Sequence, residues 1–510
     1  MIDQDFIIKI GVLSVYVGIL FLIGIIASRR IKGMSDYYVG GKKMGFWAVA
    51  FSARATGESG WLLIGLTGMG AMAGYSSYWV VVGELLGVIV SWQFMAKRFK
   101  KRSDSYGSIT VPDYLHSHFK STSNTIRAIA ASAIVVLIVI YVASQIDVTG
   151  IAFESMLGID YRLGALIGFF IVLTYIFIGG FVAAVWSDLF QGLLMFFGLV
   201  LLPIVVWFYM DHGAGVTAGL NAIDPTLTQV MGQSANPWMN LFTILGFSMI
   251  GLGFLGSPQV YVRFMSIKDE NEIDKGKWVA AVFTLLTDAA AVTIGILARI
   301  YFTENGQDPE VILGNSGENV LSMITESFLP TILVAVFIAI VLSAIMSTID
   351  SLLILASSAI TRDIYQKIFR PHIKDEALTR ISRISTILMA FAALIIAIIM
   401  DYVSPDRQIF WVIIFGWSGI AATFCPVIIL SLFWKGLSEK GAIASMFTGF
   451  FSVGLFNFVF KEMPEIGEYF VALDVLAPSF FIAMLVGYIF SKIYPPRAEA
   501  VKMIEEIDAN

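Results

Sequence analysis

The stretch SARATGESG (52–60) sets two serines, an arginine, a threonine, a glutamate and two glycines in the middle of an otherwise apolar run, about 46–73. A second polar break, GLGFLGSP (251–258), interrupts the run 238–262 with three glycines, a serine and a proline. These breaks matter because of the composition around them. Hydrophobic residues make up 57% of the 510, charged ones 14%, and the mean hydropathy is +0.81. A soluble domain carries about 25% charge. Apolar runs of about 20 residues, the length that spans a bilayer, recur from end to end, with no hydrophilic block long enough to fold alone. In hydrocarbon an unpaired peptide group costs several kcal/mol, so a spanning helix breaks only where protein or a water-filled cavity receives the freed groups.

Thirteen runs are predicted to span, at about 8–28, 46–73, 76–96, 128–147, 163–183, 187–209, 238–262, 278–303, 330–356, 383–400, 408–434, 441–460 and 470–491. The start, MIDQDF, lacks the basic segment of a cleaved signal, and Arg29, Arg30 and Lys32 follow the first run at once. That pattern predicts an uncleaved anchor with the N-terminus outside and the C-terminus cytoplasmic. Of the 33 Lys and Arg, 27 fall on the inner side of that topology, as the positive-inside rule requires. The outer side has Lys9, Arg162, Arg299, Arg407 and Lys461, and Arg54 lies inside a span. The broken spans are the second and the seventh, so they cross in opposite directions. Spans 2–6 and 7–11 are then two five-helix units of inverted topology, the plan of many secondary transporters, with the binding site between the breaks. The expected division is 1–45 (peripheral helix and cytoplasmic loop), 46–237 and 238–434 (the two units), and 435–510 (two peripheral helices and a cytoplasmic tail). The net charge of −5 identifies no partner. Nothing points to nucleic acid or to an obligate protein partner, and the bilayer is the chain's solvent.

Oxygen-bearing residues inside the spans are the candidate ligands. Ala344, Ser347, Thr348 and Ser351 fall at i, i+3, i+4 and i+7, on one face of the ninth span. Their hydroxyls and a carbonyl, with carbonyls freed at the first break, suit a hard cation; alternatively they bond within their own helix or to a neighbour. Asp188 and Asp350 are acids at membrane depth, where ionisable groups are costly and functional. Arg54 can pair with Glu58 at i+4, although Gly57 and Gly60 favour unwinding there, and Glu84 has no basic neighbour in its own helix. An acid at this depth pairs, binds a cation or takes a proton. Gln145, Asp147 and Asp288 are weaker candidates, expected to be hydrated or interhelical. Cys425, the one cysteine, is expected in the core. His116, His118, His212 and His372 all read as loop residues, against a metal centre or enzyme chemistry in the core.

The strings DYYVGGKKMG (36–45), SGWLLIGLTG (59–68), TVPDYL (110–115), TYIFIGGFVAAVWSDLFQ (174–191), GSPQVYVRFM (256–265) and IMSTIDSLLILASSAITRDIY (345–365) resemble the sodium/solute symporter family, and its sodium/proline branch most. The resemblance implies an all-α membrane protein of LeuT-type 5+5 inverted-repeat fold with about 13 transmembrane helices. It implies sodium as coupling ion, held by the side chains of Ser347 and Thr348 and the carbonyls of Ala344, Ala55 and Glu58. Members with a second sodium use the positions of Asp188, Ser347, Asp350 and Ser351. Trp61, Tyr141, Ile250 and Phe254 are the implied solute contacts, joined by Glu58 and Glu84. The chain departs from the proline branch where that branch has a tryptophan and a tyrosine (here Ile250 and Phe254) and an aspartate (here Gly57). The resulting expectation is a sodium symporter, not an enzyme, importing proline or a related amino acid across the plasma membrane. Its rivals are another solute (a sugar acid, carboxylate or vitamin) and proton coupling through Glu58 or Glu84.

Overall fold

The computed structural model describes residues 4–29, 33–210, 215–404 and 407–509; Arg30, Lys32 and His212 lie outside them. Its regular elements are helices, named here in chain order. They are α1 (Gln4–Ser28), α2 (Phe46–Gly57), α3 (Thr67–Ala73), α4 (Tyr78–Val90), α5 (Thr125–Leu157), α6 (Tyr161–Tyr209) and α7 (Pro237–Met249). After the second break come α8 (Pro258–Ser266), α9 (Glu270–Phe302), α10 (Thr331–Ser358), α11 (Asp375–Val403), α12 (Ile409–Phe433), α13 (Glu439–Leu455) and α14 (Leu476–Ile493).

Among the described residues, eleven helices are long and apolar enough to cross a membrane. Two of the thirteen predicted runs differ from these for a physical reason. The run 46–73 is cut into α2 and a second half, each shorter than a span, and Tyr161–Thr174 is a shorter apolar helix. The chain passes from the fifth run to the sixth at Gly180, whose φ of 54° and ψ of −154° are not helical. That is a few residues before the predicted boundary at 184–186.

Both breaks form where the sequence places them. In the first, α2 ends at Gly57, Glu58 takes φ −96° and ψ 78°, and its N–H donates to the Arg54 carbonyl at 2.8 Å. Helix resumes as a π-helical turn over Trp61–Leu66 and runs on into α3. In the second, α7 tightens into a 3₁₀ stretch, Ile250–Leu255, and α8 starts at Pro258, where the missing N–H costs nothing. A side chain at Gly251 would stand 2.0 Å from the Gly83 carbonyl, so α4 lies directly against this break. The two chain segments leading from the breaks are also tied: Met44 N–H donates to the Ser266 carbonyl at 3.0 Å, and Lys268 N–H to the Met44 carbonyl at 2.9 Å.

Helix α10 is deeply enclosed, packed by α6, α5 and α1, whereas α13 and α14 pack on each other and on α12 at the periphery. Large apolar side chains such as Leu388, Phe451 and Leu485 face outward, as lipid contact requires. The tail, read from sequence only as a cytoplasmic end, forms a helix, Ala498–Ala509, held by an Asp508–Arg102 pair at 2.8 Å. His116 and His118 sit on a short helix, Val111–His118, rather than in a loop, and His118 is buried.

Candidate cation and solute site

The first break is stitched to α10 by oxygen atoms. Ser347 Oγ donates to the Ala55 carbonyl at 2.9 Å and lies 3.1 Å from the Ala344 carbonyl. Thr348 Oγ1 lies 3.1 Å from both the Thr56 and Ala344 carbonyls. All five residues are buried. Three carbonyls and two hydroxyls thus converge between α2 and α10, with no charged group among them. Turning the two hydroxyls so that their lone pairs point inward makes this a set of hard, neutral ligands fit for a monovalent cation. The set contains Thr56, which the sequence argument left out. Among the expected ligands, Ala55, Ala344, Ser347 and Thr348 are brought together, and Glu58 lies two residues along.

One helical turn further along α10, Asp188 from α6 meets Ser351. Here the structure adds a residue that sequence had counted as an inner-side charge. Arg263 of α8 is buried, with Nη2 3.0 Å from Asp188 and also on Ser351 Oγ, Nε 2.8 Å from Ser52 Oγ, and Nη1 2.6 Å from the Gln259 carbonyl. Ser52 Oγ itself donates to Asp188 at 2.6 Å. Asp350 projects to the flank, bonded to Ser351 at 3.0 Å and Ser187 at 3.5 Å. Asp188 therefore has a guanidinium counter-ion, and α2, α6, α8 and α10 meet at it.

On the opposite side of α2, Arg54 Nη2 pairs with Glu58 and lies 3.0 Å from Glu84 of α4. The Arg54–Glu58 pair open to the sequence is present because α2 stays helical to Gly57 and keeps the i, i+4 geometry, and Glu84 joins it from α4. Thr287 Oγ1 of α9 donates to Glu58 at 3.1 Å and lies 3.2 Å from Asp288. Carboxylate oxygens of Glu58, Glu84 and Asp288, all buried, lie within 4.8 Å of one another. Asp288 is thus a member of this cluster, not a hydrated or merely interhelical acid. Asp147 is interhelical as expected, held by Arg407 and by the Tyr161 hydroxyl at 2.5 Å.

The aromatic candidates line the same region. The Arg54 guanidinium lies 4.5 Å from the Phe254 ring centre, and Phe254 is 5.0 Å from Trp417 of α12, which is 6.5 Å from Tyr141. Trp417 Nε1 donates to the Ile250 carbonyl at 3.1 Å and Trp61 Nε1 to the Gly57 carbonyl at 3.0 Å, so both breaks have a freed carbonyl satisfied by an indole. A side chain at Gly57 would stand 2.7 Å from Phe254, which fills the space next to that glycine. Cys425 is buried against the Gly253 carbonyl at 3.4 Å.

With this geometry in view, residues 37–449 match the family model described as "Sodium:solute symporter family". The chain belongs to this family. The symporter is 33% identical over 476 residues to the high-affinity proline transporter PutP of Bacillus subtilis (strain 168), covering 90% of this chain and 97% of that one. It is 30% identical to the sodium/proline symporter of Escherichia coli (strain K12), covering 97% and 95%. A solved Na+-coupled sialic acid symporter in a substrate-bound, outward-open state superposes with a TM-score of 0.75 at 19% identity, covering 96% of this chain and 98% of that one. The fold is the LeuT type, and the protein is a multi-pass membrane transporter that couples solute import to sodium. It is a secondary transporter and not an enzyme.

Thr56, Arg263, Thr287, Asp288 and Trp417 are the residues around the symporter's centre that sequence reading passed over or ranked low. Asp288 had a usable signal, an acid inside an apolar run. Thr56 contributes a backbone carbonyl, for which no residue type is diagnostic.

Proposed function

We propose that the symporter imports proline or a related small amino acid, with sodium bound by Ala55, Glu58, Ala344, Ser347 and Thr348, and the Thr56 carbonyl at the same cluster. The observation that carries the ion site is the pair of hydroxyl contacts from Ser347 and Thr348 to carbonyls at the first break. The solute class is supported by the curated relatives, proline transporters or sodium/proline symporters at 30–33% identity over nearly the whole chain. Trp61, Tyr141, Ile250 and Phe254 form the solute wall in this reading, with Glu84 on its polar floor and Glu58 behind it, held by Arg54 and Thr287. Units 46–237 and 238–434 are the two inverted repeats, in a plasma membrane with the N-terminus outside and the C-terminus cytoplasmic.

In the cycle, sodium enters from outside and joins α2 to α10, which holds the first break in the shape that receives solute. Solute binding lets the outer side close and the inner side open, and sodium leaves into the low-sodium cytoplasm. A second sodium at Asp188, Asp350 and Ser351 belongs to a state in which Arg263 has left Asp188, since the guanidinium meets the oxygens that the ion would use. The test is radiolabelled proline uptake by purified protein in proteoliposomes. Accumulation under an inward sodium gradient and none under a potassium gradient is the expected result. Equal uptake under both would refute the coupling, and no competition by any amino acid would refute the solute class.

A further inference from the structure

The cluster around Arg54 is unbalanced in two ways. Three buried carboxylates, Glu58, Glu84 and Asp288, face a single guanidinium, an excess of two negative charges when all are ionised. Buried charge of one sign is costly unless a counter-charge meets it. At the same time the guanidinium is itself underused. Both acids that hold it take Nη2, while Nε and Nη1 have no hydrogen-bond partner in a side chain that is 1% exposed. Asp288 Oδ2 has no hydrogen-bond donor either. Unmet buried donors and acceptors in one place call for a ligand that supplies both kinds of partner.

We propose that Arg54, Glu84 and Asp288 form a receptor for a zwitterion, in which an unmet N–H of Arg54 receives the solute's carboxylate and the carboxylates of Glu84 and Asp288 receive its cationic nitrogen. This deepens the amino-acid reading above and rests on it. A neutral solute leaves the Arg54 donors unmet, and a simple anion adds to the negative excess. A molecule carrying both charges a few ångströms apart leaves the net charge of the cluster unchanged, but it sets its cation among the acids and its carboxylate on the unmet guanidinium N–H. Phe254, against the guanidinium, and Trp417, tilted onto Phe254, supply the apolar wall for the carbon frame between the charges. Glu58 is committed to Arg54 and Thr287 and serves to position the guanidinium rather than to touch the solute.

The test uses the full-length transporter in detergent with saturating sodium and isothermal titration of four probes. They are proline, proline methyl ester (no carboxylate), tetrahydrofuran-2-carboxylate (no cationic nitrogen) and glycine betaine (a zwitterion of different shape). Proline is expected to bind at least tenfold more tightly than the ester and the furan acid. Asp288→Asn is expected to shrink the preference over the furan acid at least fivefold while keeping the preference over the ester. Arg54→Gln is expected to do the reverse; if that variant does not fold, the wild-type panel and Asp288→Asn still decide. Proline and both analogues binding within threefold of each other, or an unchanged preference in Asp288→Asn, would overturn the receptor and leave the amino-acid reading standing. Binding of glycine betaine without proline would keep the receptor and overturn proline as solute. Binding of none of the four would overturn both.

Discussion

Ser347→Ala removes one of five oxygens at the junction of α2 and α10, and Thr348→Ala removes another. A hydroxyl bound to a charged partner contributes about 1.5–3 kcal/mol. At about 1.4 kcal/mol per tenfold change, each variant should need roughly 10- to 100-fold more sodium for half-maximal uptake. The other effect of each substitution is smaller. The bond to the Ala55 or Thr56 carbonyl is neutral and contributes about 1 kcal/mol to stability, so the folded protein survives. Thr348→Ser keeps the oxygen and should stay within a few-fold of the parent. The gradient supported at saturating sodium is a separate quantity. One charge moving through 100 mV supplies about 2.3 kcal/mol, enough for roughly 50-fold accumulation, and a weakened site that still carries one ion keeps that limit. The assay is sodium-activated uptake of radiolabelled solute in proteoliposomes at fixed potential, with the end-point gradient measured in parallel. Sodium activation within threefold of the parent in both alanine variants would refute the site. A halved logarithm of the limiting gradient would show that the site carries one of two ions.

Other consequences can be measured on the same preparation. Arg407→Ala leaves Asp147 buried with only the Tyr161 hydroxyl, which should cost about 3–5 kcal/mol; thermal unfolding should show a large drop that Asp147→Asn partly restores. Gly251→Ala places a methyl group 2.0 Å from the Gly83 carbonyl, so backbone must move; a loss of about 1–3 kcal/mol or more should appear as a lower melting temperature and reduced uptake. Gly57→Ala meets the Phe254 ring at 2.7 Å and should weaken solute binding more than sodium binding, with Gly57→Ala/Phe254→Leu recovering part of the loss in titrations. Burial holds the His118 imidazole down to about 3, below its unfolded value of about 6.5, so it stays neutral in the fold. Its contribution is intact above pH 6.5 and is lost as pH falls towards 3, by about 1.4 kcal/mol per unit; denaturation at pH 5 and 7 should show a slope that His118→Gln reduces.

The parts of this architecture that sequence reveals are those encoded by local pattern. Glycines and polar residues inside apolar runs mark both breaks because hydrocarbon makes an unpaired peptide group so costly. Ser347 and Thr348 are visible because one helix places them on one face with Ala344. What escapes is pairing across distance. Arg263 sits at the end of a run beside a basic loop and reads as one more inner-side charge, yet it reaches Asp188, 75 residues away in sequence, and four helices meet there. Asp288 is separated from Glu58 by 230 residues, and no periodicity in α9 tells that it turns toward α2 rather than toward a neighbour. The Gly180 turn is likewise hidden, since a glycine pair in a long apolar stretch is also compatible with one continuous helix.

The two proposed sites share a single piece of chain, and that arrangement would couple them without a long-range relay. Within one turn of α2, the carbonyls of Ala55 and Thr56 face α10, while the side chains of Arg54 and Glu58 face α4 and α9. Gly57 lies between them, with its carbonyl held by Trp61 and Phe254 against its Cα. An ion that draws the two carbonyls onto α10 fixes the end of the helix, and so fixes the height and tilt of the Arg54 guanidinium above Phe254. Without that ion the two carbonyls are held to α10 by the neutral Ser347 and Thr348 hydroxyl bonds alone, and the solute-facing charges are fixed less firmly. Reciprocity then follows, because any solute that holds Arg54 in place must tighten sodium by the same factor. Sodium affinity measured with and without solute should therefore shift in parallel with solute affinity measured with and without sodium. A solute effect on sodium in Ser347→Ala as large as in the parent would mean that the linkage runs through some element other than the end of α2.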